Sequence, residues 1–157
     1  MKNKLKSIAA IGCALLMISA CAGTDGLPNP FSGSGEPLTM VPINHTDRPA
    51  TSVFVDKSWA GNPYPKSGGG KAACCYPAMK NWDQPATVKI LWGSTENPVT
   101  RDLILSQESK TYTAQFPPEG PNRSDPDHPE TYLCVILRDF DKVDLAFSRS
   151  RGGCLQK

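Results

Sequence analysis

The chain has 157 residues, with 17 basic and 15 acidic side chains and a formal charge of +2 at neutral pH. This length favours one domain, and 13 Gly with 15 Pro make up about 18% of the residues, above the usual ~12%. Prolines at that density interrupt long helices, so we exclude a helical bundle and expect a compact, loop-rich fold with one core.

Residues 1–20 have the pattern of a bacterial export signal. Three lysines precede an apolar run from Ile8 to Ile18, which is too short to span a bilayer. The segment ends Ile18-Ser19-Ala20-Cys21, which resembles the lipobox of bacterial lipoproteins. In that class the signal is cut before the cysteine, whose thiol receives a diacylglycerol and whose new amino group is acylated. An ordinary signal peptide that contains a cysteine is the alternative.

The predicted processing changes both the charge and the location of the protein. Removal of residues 1–20 takes away three lysines and no acid, so 14 basic and 15 acidic side chains remain. We therefore expect no nucleic-acid partner. Several acyl chains on Cys21 would attach the protein stably to a lipid bilayer, since a single chain is marginal. Ala22 follows the cysteine, and in bacterial lipoproteins a residue other than Asp at this position favours the periplasmic face of the outer membrane.

Residues 21–37 are rich in Gly and Pro and predict an acylated flexible tether. Residues 38–157 then form the single predicted β domain, because short apolar runs alternate with turn residues. The candidate strands are Val41–Thr46, Thr51–Lys57, Ala86–Trp92, Arg101–Ser106, Lys110–Phe116, Tyr132–Arg138 and Val143–Ser148. No window of the domain sustains a helical period. The pattern predicts an all-β fold, a small antiparallel sandwich or partly open barrel of about six or seven strands.

The last two candidate strands predict a hairpin. A turn of four residues, 139–142, would place Arg138 opposite Val143 and therefore Cys134 opposite Phe147. Cys154 lies well beyond this hairpin, so a bridge between Cys134 and Cys154 would require the C-terminal tail to fold back.

Four cysteines remain in the mature chain: Cys74, Cys75, Cys134 and Cys154. Exported thiols meet an oxidising compartment, so we expect them to form disulfides that staple the domain, with three possible connectivities. A bridge between the adjacent Cys74 and Cys75 is uncommon, so we favour pairing of each with one C-terminal cysteine. The spacing is not that of a zinc site, and we predict no metal.

Two histidines are the candidates for chemistry. His45 lies in Asn44-His45-Thr46-Asp47 and His128 follows Asp125-Pro126-Asp127, so each has a nearby carboxylate, as a metal ligand or a general base often has. We favour a structural role, because Asn, Thr and Asp at a strand end satisfy turn backbone with their own side chains. The chain has no nucleophile elbow and no His-Glu-x-x-His motif. We therefore predict that the protein is not an enzyme and needs no cofactor.

Three aromatic residues near the Pro/Gly-rich loop at residues 63–70 are candidates for binding a partner protein. They are Trp59, Tyr64 and Trp82. Aromatic residues are favoured at interfaces, and loops often present binding residues. Trp59 and Trp82 lie beside turn residues, and a purely structural role is the alternative for both. Trp92 lies on the apolar face of its strand and is predicted to belong to the core.

Several motifs occur together in residues 40–93: Asn44-His45-Thr46-Asp47, the glycine triplet Gly68-Gly69-Gly70, the doublet Cys74-Cys75, and then Trp82. This combination resembles a family of small proteobacterial lipoproteins of unknown function. Members of that family are often similar to immunity lipoproteins of type six secretion lipase effectors. The resemblance implies a periplasmic protein that binds and neutralises a lipase or phospholipase toxin. A structural or assembly lipoprotein of the envelope, without a toxin partner, is the alternative.

Overall fold

The computed structural model describes residues 35–68 and 72–157. The predicted signal peptide and Cys21 lie outside the described residues, as do Gly69, Gly70 and Lys71. The elements are β1 (Leu38–Asn44), β2 (Ala50–Val55), β3 (Ser58–Gly61), β4 (Ser67–Gly68), β5 (Ala73–Tyr76), β6 (Ala86–Trp92), β7 (Thr95–Glu96), β8 (Leu103–Leu105), β9 (Glu108–Ala114), β10 (Tyr132–Leu137), β11 (Val143–Ser148) and α1 (Arg151–Leu155).

Each of the seven strands that the sequence predicts overlaps a strand of the structure. The structure adds four strands of two to four residues, β3, β4, β5 and β7, and the five-residue helix α1. These additions are too short to produce a periodic apolar pattern, so the sequence does not show them.

Two sheets form the body of the domain. One has the order β11-β10-β1-β4, with β5 also paired to β1, and the other has the order β3-β2-β6-β9. A separate two-stranded sheet joins β7 and β8. The fold is almost entirely β, with several antiparallel pairings and no closed barrel, which confirms the predicted class.

The core lies between the two large sheets. In β6, Val88, Ile90 and Trp92 are fully buried while Lys89 is exposed, which is the alternation that the sequence shows. Trp92 is confirmed as a core residue, and its indole Nε1 donates a hydrogen bond to the Tyr112 hydroxyl at 3.1 Å.

The centre of the larger sheet is a parallel pair, β1 with β10, in which Thr39 aligns with Tyr132 and Asn44 with Leu137. Both strands are buried on both faces, as parallel strands usually are. The outer face of this sheet is the face that points away from the other large sheet. Its side chains, Val41 among them, form a second apolar cluster that includes Cys134 and Cys154. The helix α1 contacts β1, β10 and β11 and brings Cys154 over this outer face.

The predicted hairpin of β10 and β11 is confirmed, but its register is one residue away from the prediction. Leu137 pairs with Val143, and Cys134 pairs with Ala146 rather than Phe147. The reason is that Arg138 belongs to the turn, where its backbone N–H donates to the Lys142 carbonyl at 3.0 Å.

The favoured disulfide connectivity is wrong. One bridge joins Cys134 to Cys154, with their Cα atoms 5.3 Å apart, and the other joins the neighbours Cys74 and Cys75. The tail does fold back, because α1 lies over the outer face of β10. The doublet is on β5, which is two strands away from β10. Neighbouring strands lie about 4.8 Å apart, and a disulfide tolerates at most ~7 Å between Cα atoms. A cysteine of the doublet, two strands away, is therefore too far from Cys134 to form a bridge with it.

The body has two ends. At the first, which we call the Leu38 end, β1 begins beside Tyr76, and the Tyr76 hydroxyl donates to Asp56 Oδ2 at 2.7 Å. At the other, which we call the Arg48 end, the turn between β1 and β2 meets the end of β6 and the start of β9. The seven residues of β1 separate the two ends by about 20 Å, at ~3.3 Å per residue.

Candidate interaction surface

Trp82 does not belong to a binding surface, which corrects the sequence interpretation. Only 9% of its side chain is exposed, and its ring makes edge-on contacts, 5.0 Å between centroids, with both Phe116 and Phe147. Gly120 has a positive φ of 68°, and a Cβ at that position would collide with the Trp82 ring. Trp82 therefore closes the core between the two sheets.

Trp59 and Tyr64 remain accessible. Trp59 lies on the edge strand β3 opposite Phe54 and is 44% exposed, and Tyr64 is 66% exposed in the loop after β3. Since Trp82 is buried, the three aromatic residues do not form one surface. Trp59 and Tyr64 stay available as contact residues.

The Asn44-His45-Thr46-Asp47 motif closes the turn between β1 and β2. The buried Asn44 amide donates to the Arg48 carbonyl at 2.7 Å, and its Oδ1 accepts from the Thr46 backbone N–H at 2.9 Å and from the Thr46 hydroxyl at 2.7 Å. Asn44 and Thr46 thus satisfy the turn backbone, as predicted. The His45 side chain is exposed, and its backbone N–H donates to the Leu137 carbonyl at 2.9 Å.

This turn positions a buried cation. Arg48 is 4% exposed, and its guanidinium donates to the Gly93 carbonyl at 2.8 Å, to the Ser106 carbonyl and to the Glu108 carboxylate. The guanidinium carbon also lies 5.9 Å from the centroid of the Phe140 ring. Gly93 follows β6 and Ser106 precedes β9, so Arg48 joins both ends of the segment between those two strands.

We call that segment, residues 93–107, the hairpin arm. It contains the β7–β8 pair, and Asn97 orders its turn, because Asn97 Oδ1 accepts from the Val99 N–H at 2.9 Å and the Thr100 N–H at 3.1 Å. Four aliphatic side chains of the arm are exposed: Val99 by 87%, Leu103 by 59%, Ile104 by 58% and Leu105 by 42%. Because neighbouring residues of a strand point to opposite faces, both faces of β8 are uncovered.

The two histidines do not form a common site. His45 lies at the Arg48 end, whereas His128 lies in the long loop between β9 and β10, where its Nδ1 is 3.4 Å from Asp125 Oδ2 and its side chain is 71% exposed. Within residues 35–68 and 72–157, no group of three or more His, Cys, Asp or Glu residues is arranged to hold a metal ion. The same residues contain no helix long and apolar enough to cross a membrane.

Two tyrosine hydroxyls have perturbed acidity. Burial, and then the hydrogen bond and negative charge of Asp56, raise the pKa of Tyr76 well above its usual range. Burial is also the main cause that raises the pKa of Tyr112, whose hydroxyl donates to the Phe140 carbonyl at 2.7 Å. Both phenols stay protonated near neutral pH and act as hydrogen-bond donors that hold the ends of the sheets together.

The fold and the arm define a small disulfide-bonded β-sandwich protein with a hairpin at one end that exposes four aliphatic side chains. The chain belongs to the family described as protein of unknown function (DUF3304), whose model matches residues 43–124, just over half of the chain. The matched segment contains Arg48, the hairpin arm and Glu108, while Cys134 and Cys154 lie outside it. Neither the search of the curated proteins nor the search of the solved structures found a match.

Sequence reasoning missed the arm and the arginine that holds it. The run Leu103-Ile104-Leu105 is correctly predicted to be a strand, but three consecutive apolar residues give no sign of whether another layer covers them. Arg48 stands before Pro49 in a predicted turn, and its three acceptors come from 45 to 60 residues further along the chain. The arm is identified by its exposed aliphatic side chains. Their exposure can be seen in the tertiary structure but not in the sequence.

Proposed function

We propose that this protein is a membrane-anchored periplasmic lipoprotein, attached to the outer membrane through acylated Cys21, that binds and neutralises a lipase or phospholipase effector of a type six secretion system. The lipobox-like sequence at Cys21 and the resemblance of residues 40–93 to immunity-related lipoproteins support the anchor and the partner. The tether would hold the inhibitor at the membrane, where a phospholipase must act, and so raise its effective concentration there.

The observation that carries the proposal is the hairpin arm. Its base is fixed by a buried arginine, and it presents four exposed aliphatic side chains. Single exposed apolar residues are ordinary, but four of them within one short segment are typical of an interaction site. A rigid body with a pre-ordered apolar projection suits tight binding, because little conformational entropy is lost when the complex forms. Neutralisation by binding requires no turnover.

The test is protection in the periplasm. The genes beside this one would be searched for a lipase effector, which would be exported to the periplasm of a bacterial host with or without this protein, and cell survival and co-purification would be measured. We expect the protein to restore survival and to co-purify with the lipase. His45→Gln is a matched control that should protect fully, because the imidazole is exposed and glutamine keeps hydrogen-bonding capacity in a similar volume.

Two results would contradict the proposal. The first is a lipase that remains toxic and does not co-purify although the protein is exported and folded. The second is the absence of a neighbouring lipase gene together with an envelope-permeability defect in a deletion strain, which would favour the alternative of an envelope assembly protein.

A further inference from the structure

Strand β5 contains a β-bulge at the doublet Cys74-Cys75. Leu38 of β1 pairs with Tyr76 of β5, and the next pair joins Met40 to Ala73. One residue separates the two paired positions on β1, whereas the two cysteines separate them on β5. The doublet therefore occupies the place of one residue in the pairing, and bulges of this kind commonly re-aim side chains.

The bulge explains why both cysteines are exposed. In a regular strand neighbouring residues point to opposite faces, so one cysteine of a doublet would be directed toward the core. In β5, Ala73 and Tyr76 are both buried, and the two cysteines between them are both exposed. The bridge Cys74–Cys75 is therefore accessible to a reactant from solution.

The second bridge has the opposite properties. Cys134 and Cys154 are fully buried, at 0% exposure, and their bridge closes a loop with a sequence separation of 20 residues. A disulfide stabilises a fold mainly through the loop that it closes in the unfolded chain. The sequence separation within the doublet is 1, so its bridge constrains almost no chain. The doublet is thus exposed and adds little to the stability of the fold.

These properties suit a bridge that reacts rather than one that staples the domain. Exchange requires that a thiolate reach one sulfur of the disulfide, and the fold must persist when the bridge opens. We propose that Cys74–Cys75 is a thiol–disulfide exchange site, at which a dithiol reduces the doublet without unfolding the domain. The inference goes beyond the proposed function and does not depend on a toxin partner.

The exchange proceeds in two steps. One thiol of the dithiol loses its proton and attacks a sulfur of the doublet, which breaks the bond between the two Sγ atoms and forms a mixed disulfide. The other cysteine leaves as a thiolate and takes up a proton. The second thiol of the dithiol then loses its proton and attacks the dithiol sulfur of the mixed disulfide, which releases the remaining cysteine as a thiolate that is protonated in turn. Two electrons pass to the doublet, and the dithiol becomes a disulfide.

The adjacency of the two cysteines selects a dithiol over a monothiol. After attack by a monothiol, the released cysteine thiol lies one residue away from the mixed disulfide. A group held so close acts at a high effective concentration, so it expels the monothiol and closes the doublet again. A dithiol carries its own second thiol, which competes with this return. Small dithiols and the Cys-X-X-Cys pair of thioredoxin-like proteins share this chemistry.

The experiment measures reduction at each cysteine of the full-length protein, purified in detergent and kept native. The protein is treated with dithiothreitol, quenched with iodoacetamide and analysed by peptide mass spectrometry. We expect Cys74 and Cys75 to be alkylated faster than Cys134 and Cys154 by on the order of a hundredfold or more, because a buried bridge reacts only after local opening. The near-UV circular dichroism spectrum should stay unchanged while the doublet is reduced.

Two further reductants test the chemical class and its source. Glutathione, at the same thiol concentration, should leave the doublet oxidised over the time that dithiothreitol needs to reduce it. Reduction by thioredoxin as well as by dithiothreitol would assign a protein dithiol as the reactant. Reduction by dithiothreitol and not by thioredoxin would assign a small dithiol.

Cys75→Ser is the matched variant, because it leaves one thiol at Cys74 with no neighbouring thiol to expel an adduct. With oxidised glutathione, the variant should retain one mixed disulfide. Reduced wild-type protein should retain none and should re-form its bridge. Because the doublet closes almost no loop, Cys75→Ser should lower Tm by less than Cys154→Ser does.

Three results would overturn the inference. The first is equal alkylation of all four cysteines, or none at the doublet, in the native protein. The second is a loss of tertiary structure as the doublet is reduced. The third is reduction of the doublet by glutathione as complete as that by dithiothreitol, or a stable glutathione adduct on the wild-type protein.

Discussion

Replacement of Arg48 by methionine should both destabilise the domain and release the arm. Methionine preserves most of the apolar volume of the side chain but removes every donor. The Gly93 and Ser106 carbonyls then lose a charged partner, while Glu108, which is 44% exposed, can be hydrated by solvent. The effect should therefore come mainly from the two carbonyls.

The structure gives the approximate size of the loss. A hydrogen bond to a charged group contributes about 1.5–3 kcal/mol, so two such bonds contribute at least ~3 kcal/mol. The partly exposed pair with Glu108 adds about 0–1 kcal/mol. We expect the free energy of unfolding to fall by about 3–4 kcal/mol, which lowers Tm by roughly 10–15 °C for a domain of this size.

The assay combines a thermal or urea melt with amide hydrogen exchange of the arm. The matched control is Glu108→Gln, which removes the ion pair but retains an acceptor and should cost less than about 1 kcal/mol. In Arg48→Met, amides inside the arm, such as that of Asn97, which donates to the Asp102 carbonyl at 2.8 Å, should exchange faster than in Glu108→Gln. Equal stability of the two variants, with unchanged exchange in the arm, would refute the assignment of Arg48 as the residue that holds the arm.

Three further predictions follow from the anchor, the tail and the buried phenol. Cys21→Ser should abolish metabolic labelling with palmitate and release the protein from the membrane fraction, and unchanged labelling would contradict the lipoprotein assignment. Cys154→Ser opens a loop of 20 residues and should lower the free energy of unfolding by about 3 kcal/mol in urea melts; an unchanged midpoint would show that the Cys134–Cys154 bridge does not stabilise the fold. Because the pKa of Tyr76 is higher in the folded state than in the unfolded chain, its contribution to stability is complete below about pH 10 and declines above it. Melts of Tyr76→Phe should lack that part of the alkaline decline, and an identical pH profile for both proteins would rule the contribution out.

Local pattern alone determined the class of the fold. The alternation in β6 and β11 and the turn residues between short apolar runs depend on neighbours within a few positions, so they can be read without the fold. The role of Asn44 and Thr46 at the end of β1 was also predictable, because their partners lie within four residues of them. The export signal and the acylation site at Cys21 are also predicted from a short local sequence, and they remain predictions.

Contacts between distant parts of the chain decided the rest. The pairing of Cys134 with Cys154 depends on a five-residue helix that folds back over β10, and the burial of Trp82 depends on two phenylalanines 34 and 65 residues away. The tertiary structure alone determines which elements lie at the Arg48 end of the sandwich. Their arrangement leaves the strand Leu103–Leu105 uncovered and gives Arg48 its three partners. Sequence periodicity reports which face of a strand is apolar, but only the tertiary structure determines what lies against that face.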